Sequence, residues 1–291
     1  MLKNKKDLTK TNIAWTTLAW VVGLAIIFII WSILSATAYK NANTLPNVGK
    51  CFVAFGKTLG KGNSWAAIGI AFGQTVACFI GCLAIAVGCV LLSRYFKRFQ
   101  TFLMPFITLS RALPTQIIMI LIALFPVNVL WLVPIIVAFF IIFPMMYEGI
   151  NNAINNVNRH QIEMANVFNV SKWNQFRQMY LPITLPYIFS AMVMAFGLTF
   201  KVTVASQFVQ TVVLTKDPAY SSIGIMIRSA MHDGQFDVLI AWGMITILVS
   251  LLCELIIKET GRICMPSRYK DQAIIKGFFH KIFGGHHDQV K

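Results

Sequence analysis

Three stretches of this chain, residues 11–39, 62–93 and 112–147, contain no charged residue at all. A helix that crosses a bilayer needs about 20 consecutive apolar residues, because hydrocarbon offers no partner for an open backbone N–H or C=O. The first two stretches hold one such helix each. The third is longer than one helix needs and breaks at Pro126-Val127-Asn128. We place spans near 13–38, 66–92, 102–125, 128–147, 184–213 and 237–257, an all-α membrane protein with about six transmembrane helices. A hydrophobic content of 57% and a mean hydropathy of +0.69 exclude a soluble globular domain.

The formal net charge of +15 raises the question of nucleic acid, and its distribution answers it. With the N-terminus in the cytoplasm, seventeen of the 25 Lys and Arg fall on inside segments. Six fall outside (Lys40, Lys50, Lys57, Lys61, Lys216 and Arg228), and Arg111 and Lys201 lie within spans. This asymmetry predicts a multi-pass protein of the plasma (inner) membrane with both termini cytoplasmic, against the vote of the four lysines in the first outside loop. Orientation and anionic-lipid contact account for the charge better than nucleic acid does. Ala36-Thr37-Ala38 imitates a signal-peptidase site, but the apolar run before it is too long for a signal core and reads as an uncleaved span.

The chain then divides into a cytoplasmic N-terminus (1–12), one membrane domain (13–260) and a cytoplasmic tail (261–291). In the tail, Ile274, Ile275, Phe278, Phe279, Ile282 and Phe283 share one helical face with Lys276 and Lys281 off it, the pattern of a basic amphipathic helix on the inner leaflet. Segments 40–64 and 214–236 lie outside, and 221–231 has the pattern of a short interfacial helix.

Cys78, Cys82 and Cys89 fall on one membrane helix with no nearby His and read as small packing residues, and Cys51 sits in an outside loop. Gly56-Lys57-Thr58 imitates the end of a phosphate loop, but Cys51 stands where the first glycine belongs. No His, Cys or carboxylate cluster has catalytic or metal spacing. The expectation is a chain with no catalytic residue, no metal and no cofactor.

Two charges lie deep. Lys201 is the only charge of the fifth span, roughly 22 Å past Pro186 at ~1.5 Å per residue. Such a lysine either lines the pathway and favours an anion, or pairs with a carboxylate or carbonyls in the bundle. Arg111 lies where Pro114 frees backbone carbonyls, which favours a structural role. Glu254 has Lys258 at i+4, a helix surface pair.

The longest hydrophilic segment, 148–183, is cytoplasmic on this topology. A helical signal resumes near His160, with Met164, Val167 and Phe168 on an apolar edge. Asn169 then precedes Val170-Ser171, and Ser171 is placed to cap a second short helix bearing Trp173, Phe176 and Tyr180. Two short helices joined by a tight turn and ended by Leu181-Pro182 make a compact protrusion, which a soluble partner could grip.

This protrusion resembles the cytoplasmic coupling loop of permease subunits of binding-protein-dependent ABC importers. Their pattern is Glu-Ala-Ala, three residues, Gly, nine residues, Ile, one residue, Leu-Pro. Here Glu163-Met164-Ala165, Asn169, Met179 and Leu181-Pro182 keep that spacing, departing at Met164, Asn169 and Met179. Asn for Gly is mild, since Asn is the next-best residue for a left-handed turn at a helix end. Met164 adds bulk where the family packs closely. Arg111-Ala112-Leu113-Pro114, Gly149, and Gly224-Ile225-Met226-Ile227 leading to Asp237 are similar to the nitrate/sulfonate/taurine-type permeases, over roughly 66–260. Their Ala-Glu late in the fifth span is Ser206-Gln207 here.

The resemblance implies a transmembrane subunit coupled to a cytoplasmic ABC ATPase through the 160–182 loop, with Glu163, Met164, Ala165, Asn169, Leu181 and Pro182 as the coupling residues. Arg111, Pro114, Lys201 and Gln207 are candidates for the translocation pathway. The partners it implies are the ATPase subunits, an extracytoplasmic solute-binding protein and a second permease subunit, a homodimer in the simplest case. The solute would be a small anion such as nitrate, a sulfonate or a taurine-like molecule. A secondary transporter driven by an ion gradient is the rival reading, set against the coupling pattern and the absence of a visible repeat.

Overall fold

Long uninterrupted apolar sequence becomes long helix in the computed structural model, which describes residues 5–37, 45–124, 130–155, 157, 159–214 and 221–264. The order is α1 (Lys5–Thr37), α2 (Val48–Leu59), α3 (Gly62–Tyr95), α4 (Lys97–Ala112), α5 (Thr115–Leu124), a single 3-10 turn (Leu130–Leu132) and α6 (Val133–Asn155). There follow α7 (Arg159–Val167), α8 (Lys172–Gln175), a π-helical turn (Phe176–Tyr180), α9 (Leu181–Leu214), α10 (Ile223–His232) and α11 (Phe236–Cys264). No strand occurs among the described residues. Among the described residues, five helical segments are long and apolar enough to cross a membrane: Leu18–Thr37, Gly62–Tyr95, Leu130–Asn155, Lys172–Val213 and Phe236–Gly261. A sixth crossing is available only as the pair Arg98–Ala112 and Thr115–Leu124, bent by 102°.

The third span, expected near 102–125, is thus bent sharply within itself. Pro114 offers no N–H and disfavours helical backbone at the residue before it, and Leu113 is accordingly extended (φ −73°, ψ 133°). The break at Pro126-Val127-Asn128 and the tail helix over 274–283 lie outside the described residues.

The chain forms two units by contact, residues 1–65 with 226–245, and residues 66–225 with 246–291. In the first, no residue in the apolar span of α1 is fully buried. The Trp31 indole N–H donates to the Pro46 carbonyl (3.2 Å) and the Ser35 hydroxyl to that of Leu45 (3.1 Å), tying α1 to the start of α2. The segment expected as a loop therefore contains a helix, capped by the Asn47 side chain, which accepts from the Gly49 N–H. Its buried face is Cys51, Ala54 and Thr58. Burial and then the Asp237 carboxylate push the Cys51 thiol above its ordinary range, which keeps it protonated. Lys57-Thr58 lies within this helix, where no phosphate loop can form. A cleft of about 430 Å³ in the same unit is lined by Ser32, Ser35, Asn47, Lys50 and Asp237, among others.

In the second unit α6 and α9 are the central pair, with α4 and α5 against α6 and α5 also on α9. Small side chains make close approach possible. Cys78, Cys82 and Ala86 recur at helical spacing on the buried side of α3. A Cβ on Gly149 would stand 2.8 Å from that of Ala191, so α6 meets α9 there backbone to side chain. Three buried hydroxyls are satisfied within their own helices: Thr75, Ser93 and Thr199 donate to the carbonyls four residues back.

Candidate functional site

The cytoplasmic segment of the sequence reading folds as an elbow. α7 ends in a left-handed residue, Asn169 (φ 55°). The Val170 N–H bonds the Ala165 carbonyl and the Asn169 N–H bonds that of Asn166, both at 3.0 Å. That is a Schellman turn with Asn where glycine usually stands. Ser171 caps α8, its hydroxyl accepting from the Asn174 N–H at 3.4 Å. Gln175 is buried and closes the elbow: its Nε2 donates to the Asn166 side-chain oxygen (3.0 Å) and to the Val170 carbonyl (2.9 Å). The sequence reading missed this staple.

The elbow buries few of its own large apolar groups. Phe168 is 75% exposed and Trp173 68%, with Met164, Val167 and Phe176 also exposed. Trp173 and Phe176 stack with ring centroids 5.9 Å apart. Glu163 stands in solvent on α7, its Oε2 3.7 Å from His160 Nδ1. Leu181-Pro182, expected to end the second helix, instead opens α9. The π-helical turn before it closes with the Leu181 N–H on the Phe176 carbonyl, five residues back. The ladder thus steps past Pro182, which has no N–H to give. The elbow and α9 are consequently one continuous helical lever, Lys172–Val213.

The candidate pathway residues do not form one cluster. Arg111 pairs with Glu148 of α6 at the α4–α5 bend, and Pro114 is exposed beside it. Lys201 reaches Glu254 of α11, Nζ to Oε1 3.7 Å. Glu254, expected to serve Lys258, is thus in ion-pair range of a different helix. Its carboxylate fills the notch at Gly197, where an added Cβ would overlap it, and the Ser250 hydroxyl donates to the Gly197 carbonyl (3.3 Å).

Gln207 is fully buried. Its Nε2 donates to Gln74 Oε1 at 2.7 Å, its Oε1 accepts from the Gly224 N–H at 3.4 Å, and Gln74 donates to the Trp131 carbonyl at 3.0 Å. This seam joins α3, the 3-10 turn, α9 and the start of α10. Gly224 lies so close to α9 that a Cβ would overlap the backbone of Gln207 and Phe208.

Two signals in the sequence could have located the ion pairs. Arg111 and Glu148 bracket the longest charge-free run, while Lys201 is the base of the fifth span and Glu254 an acid of the last.

Among solved structures the fold is similar to a bacterial ABC transporter involved in the import of the acidic polysaccharide alginate. TM-score is 0.59 at 16% identity, covering 90% of this chain and 100% of that one. The alginate ABC transporter in complex with an alginate pentasaccharide-bound periplasmic protein gives 0.57 at 16% identity, covering 92% and 99%. No curated protein matches the sequence. Residues 80–258, more than half of the chain, match the family described as binding-protein-dependent transport system inner membrane component, and the chain belongs to that family.

Proposed function

We propose that this chain forms the solute pathway of an ATP-driven importer and receives its driving motion at the elbow. The observation that carries the reading is the elbow itself. Its backbone is fixed from within by the Schellman turn, the Ser171 cap and the Gln175 staple, while Phe168 and Trp173 remain exposed. Exposed aromatics on an internally rigid hydrophilic segment are the makings of a protein contact. Continuity of the elbow with α9 gives a push there a route into the membrane. ATP binding in a partner would favour one position of this lever and hydrolysis the other. ATP hydrolysis is assigned to separate cytoplasmic subunits, so this chain is not itself an enzyme.

Glu163, Met164, Ala165 and Asn169 would meet the ATPase, with Leu181 and Pro182 passing the motion to α9. A second copy of the subunit would complete the pathway, with Arg111, Pro114, Lys201 and Gln207 shaping this half. An external binding protein would deliver a small anion of the nitrate, sulfonate or taurine-like class. Both termini face the cytoplasm in this arrangement.

Affinity capture of the chain from native membranes tests the reading. A phosphate-loop ATPase should be recovered with the wild type and reduced at least about tenfold with Glu163→Arg, which puts a cation on the docking face. Repeated capture of the chain alone, still competent in transport, would transfer the assignment to an ion-gradient transporter.

A further inference from the structure

We infer that the cleft between α1, α2 and the start of α11 seats one phospholipid whose headgroup carries a phosphate and a primary ammonium, a phosphoethanolamine. This concerns neither the solute nor the ATPase and does not rest on the importer reading.

The cleft lies at a membrane boundary. Ser32, Ser35 and Ala36 on its wall belong to the last turns of the apolar span Leu18–Thr37, and Phe236 opens the apolar span Phe236–Gly261. Trp31, whose indole N–H donates to the Pro46 carbonyl at 3.2 Å, stands at the same level, the depth where an amphipathic ring is favoured. Below the cleft α1 presents Leu18, Val22, Ala25 and Ile29 at alternating steps of four and three residues, continued by Ser32 and Ala36, and every one is exposed. An apolar stripe thus runs from the cleft toward the middle of the membrane, a track for an acyl chain.

The chemistry of the walls selects the headgroup. Lys50 and Asp237 line the cleft from different helices, and neither has an ion-pair partner among the described residues. The start of α2 adds a second positive element. The Asn47 side chain accepts from the Gly49 N–H and its carbonyl from the Cys51 N–H, both at 3.2 Å. The N–H groups of Val48 and Lys50 keep no acceptor among the described residues. Open N–H groups with a lysine in the first turn favour a phosphate. Asp237, an acceptor when ionised, suits the ammonium. A glycerol head would satisfy Lys50 and leave Asp237 without a cation, and a choline head offers the carboxylate no N–H. Phosphoethanolamine answers both walls at once, in a cleft whose volume of about 430 Å³ suits a small-molecule site.

The test is lipid retention by the delipidated full-length chain in detergent, read by native mass spectrometry. Dioleoyl phosphatidylethanolamine, phosphatidylcholine and phosphatidylglycerol are the competing probes. The wild type should keep one phosphatidylethanolamine per chain, at least about fivefold more tightly than either other lipid. Asp237→Asn should bring the three lipids within about twofold of one another, and Lys50→Gln should weaken all three. An unchanged thermal midpoint in the same detergent guards against misfolding, and the wild-type comparison stands without either variant. Glycerophosphoethanolamine, the same head without acyl chains, should not displace the lipid at equal concentration.

A wild type that holds the three lipids equally would overturn the inference, and so would a preference unchanged in Asp237→Asn. Displacement by glycerophosphoethanolamine would overturn it in favour of a soluble ligand. A dimer that retains no phosphatidylethanolamine would overturn it in favour of a second copy of the chain seated on the cleft.

Discussion

In the elbow, the contacts that set the chain's path join residues no more than nine apart, from the Ser171 cap to Gln175 on Asn166. Around Gln207 they join residues 17 and 133 apart, from Gly224 to Gln74. Both regions handle polar groups at a helix crossing, but the elbow exposes its aromatics while the seam buries every side chain it uses. A locally determined element keeps its shape when carried from one place to another, as a part that transmits motion must. A non-local seam keeps its shape only while its helices stay together, and so it belongs to the frame. Damage to the seam should therefore appear as lost stability of the whole chain, and damage to the elbow as local loosening.

The largest effect is expected at Gly224. An added methyl would overlap backbone atoms of Gln207 and Phe208, which cannot move aside like the end of a side chain. Gly224→Ala should push the backbone at Gly224 off α9, stretch the Gly224–Gln207 hydrogen bond and destabilise the chain by about 2–3 kcal/mol. Thermal unfolding of the purified chain in detergent measures this. An unchanged midpoint would show that the seam is not part of the frame.

The same division explains what could be read without coordinates. The elbow was legible because its determinants are neighbours: Asn169 tolerates a left-handed turn, Ser171 caps, and the apolar spacing resumes on either side. The number of apolar spans was legible from charge-free length. Partner choice across the bundle was not. Lys201 could be identified as a costly charge, yet its pairing with Glu254 depends on how α9 and α11 cross. Pro114 was visible as a proline, but the 102° angle it leaves between α4 and α5 was not. Gln175 lies beside Asn174 between Trp173 and Phe176, and nothing local said it would turn inward. Asn47 had the chemistry of a cap, but the glycines after it suggested a loop.

Asn169 sharpens the comparison at intermediate magnitude. With φ at 55°, alanine there is strained by about 1 kcal/mol, whereas glycine adopts the geometry freely. Asn169→Ala should speed hydrogen exchange of the Val170 and Asn169 amides, the two donors of the Schellman turn, and Asn169→Gly should leave them as protected as in the wild type. Neither should move the global unfolding midpoint as Gly224→Ala does. If Asn169→Ala unfolds the whole chain to a similar extent, the elbow is not autonomous and the division between lever and frame fails.

The smallest effect belongs to Ser171, and it examines the elbow at its finest level. Its hydroxyl accepts from the Asn174 N–H at 3.4 Å, toward the long end for such a bond, so removing it should cost about 0.5 kcal/mol, the low end for a helix cap. α8 runs on through the π-helical turn into α9, so its first turn is the open end of a long helix, where N–H groups lack intrahelical partners. Its start is held by Ser171 and its end by Gln175, which remains in place when Ser171 becomes alanine. Ser171→Ala should therefore raise the exchange rate of the Asn174 amide two- to threefold while the Val170 amide, bonded to Ala165 on the other side of the turn, stays unchanged. A matching loss at Val170 would mean that the cap and the Schellman turn open together. The elbow would then move as one cooperative unit smaller than the lever it drives.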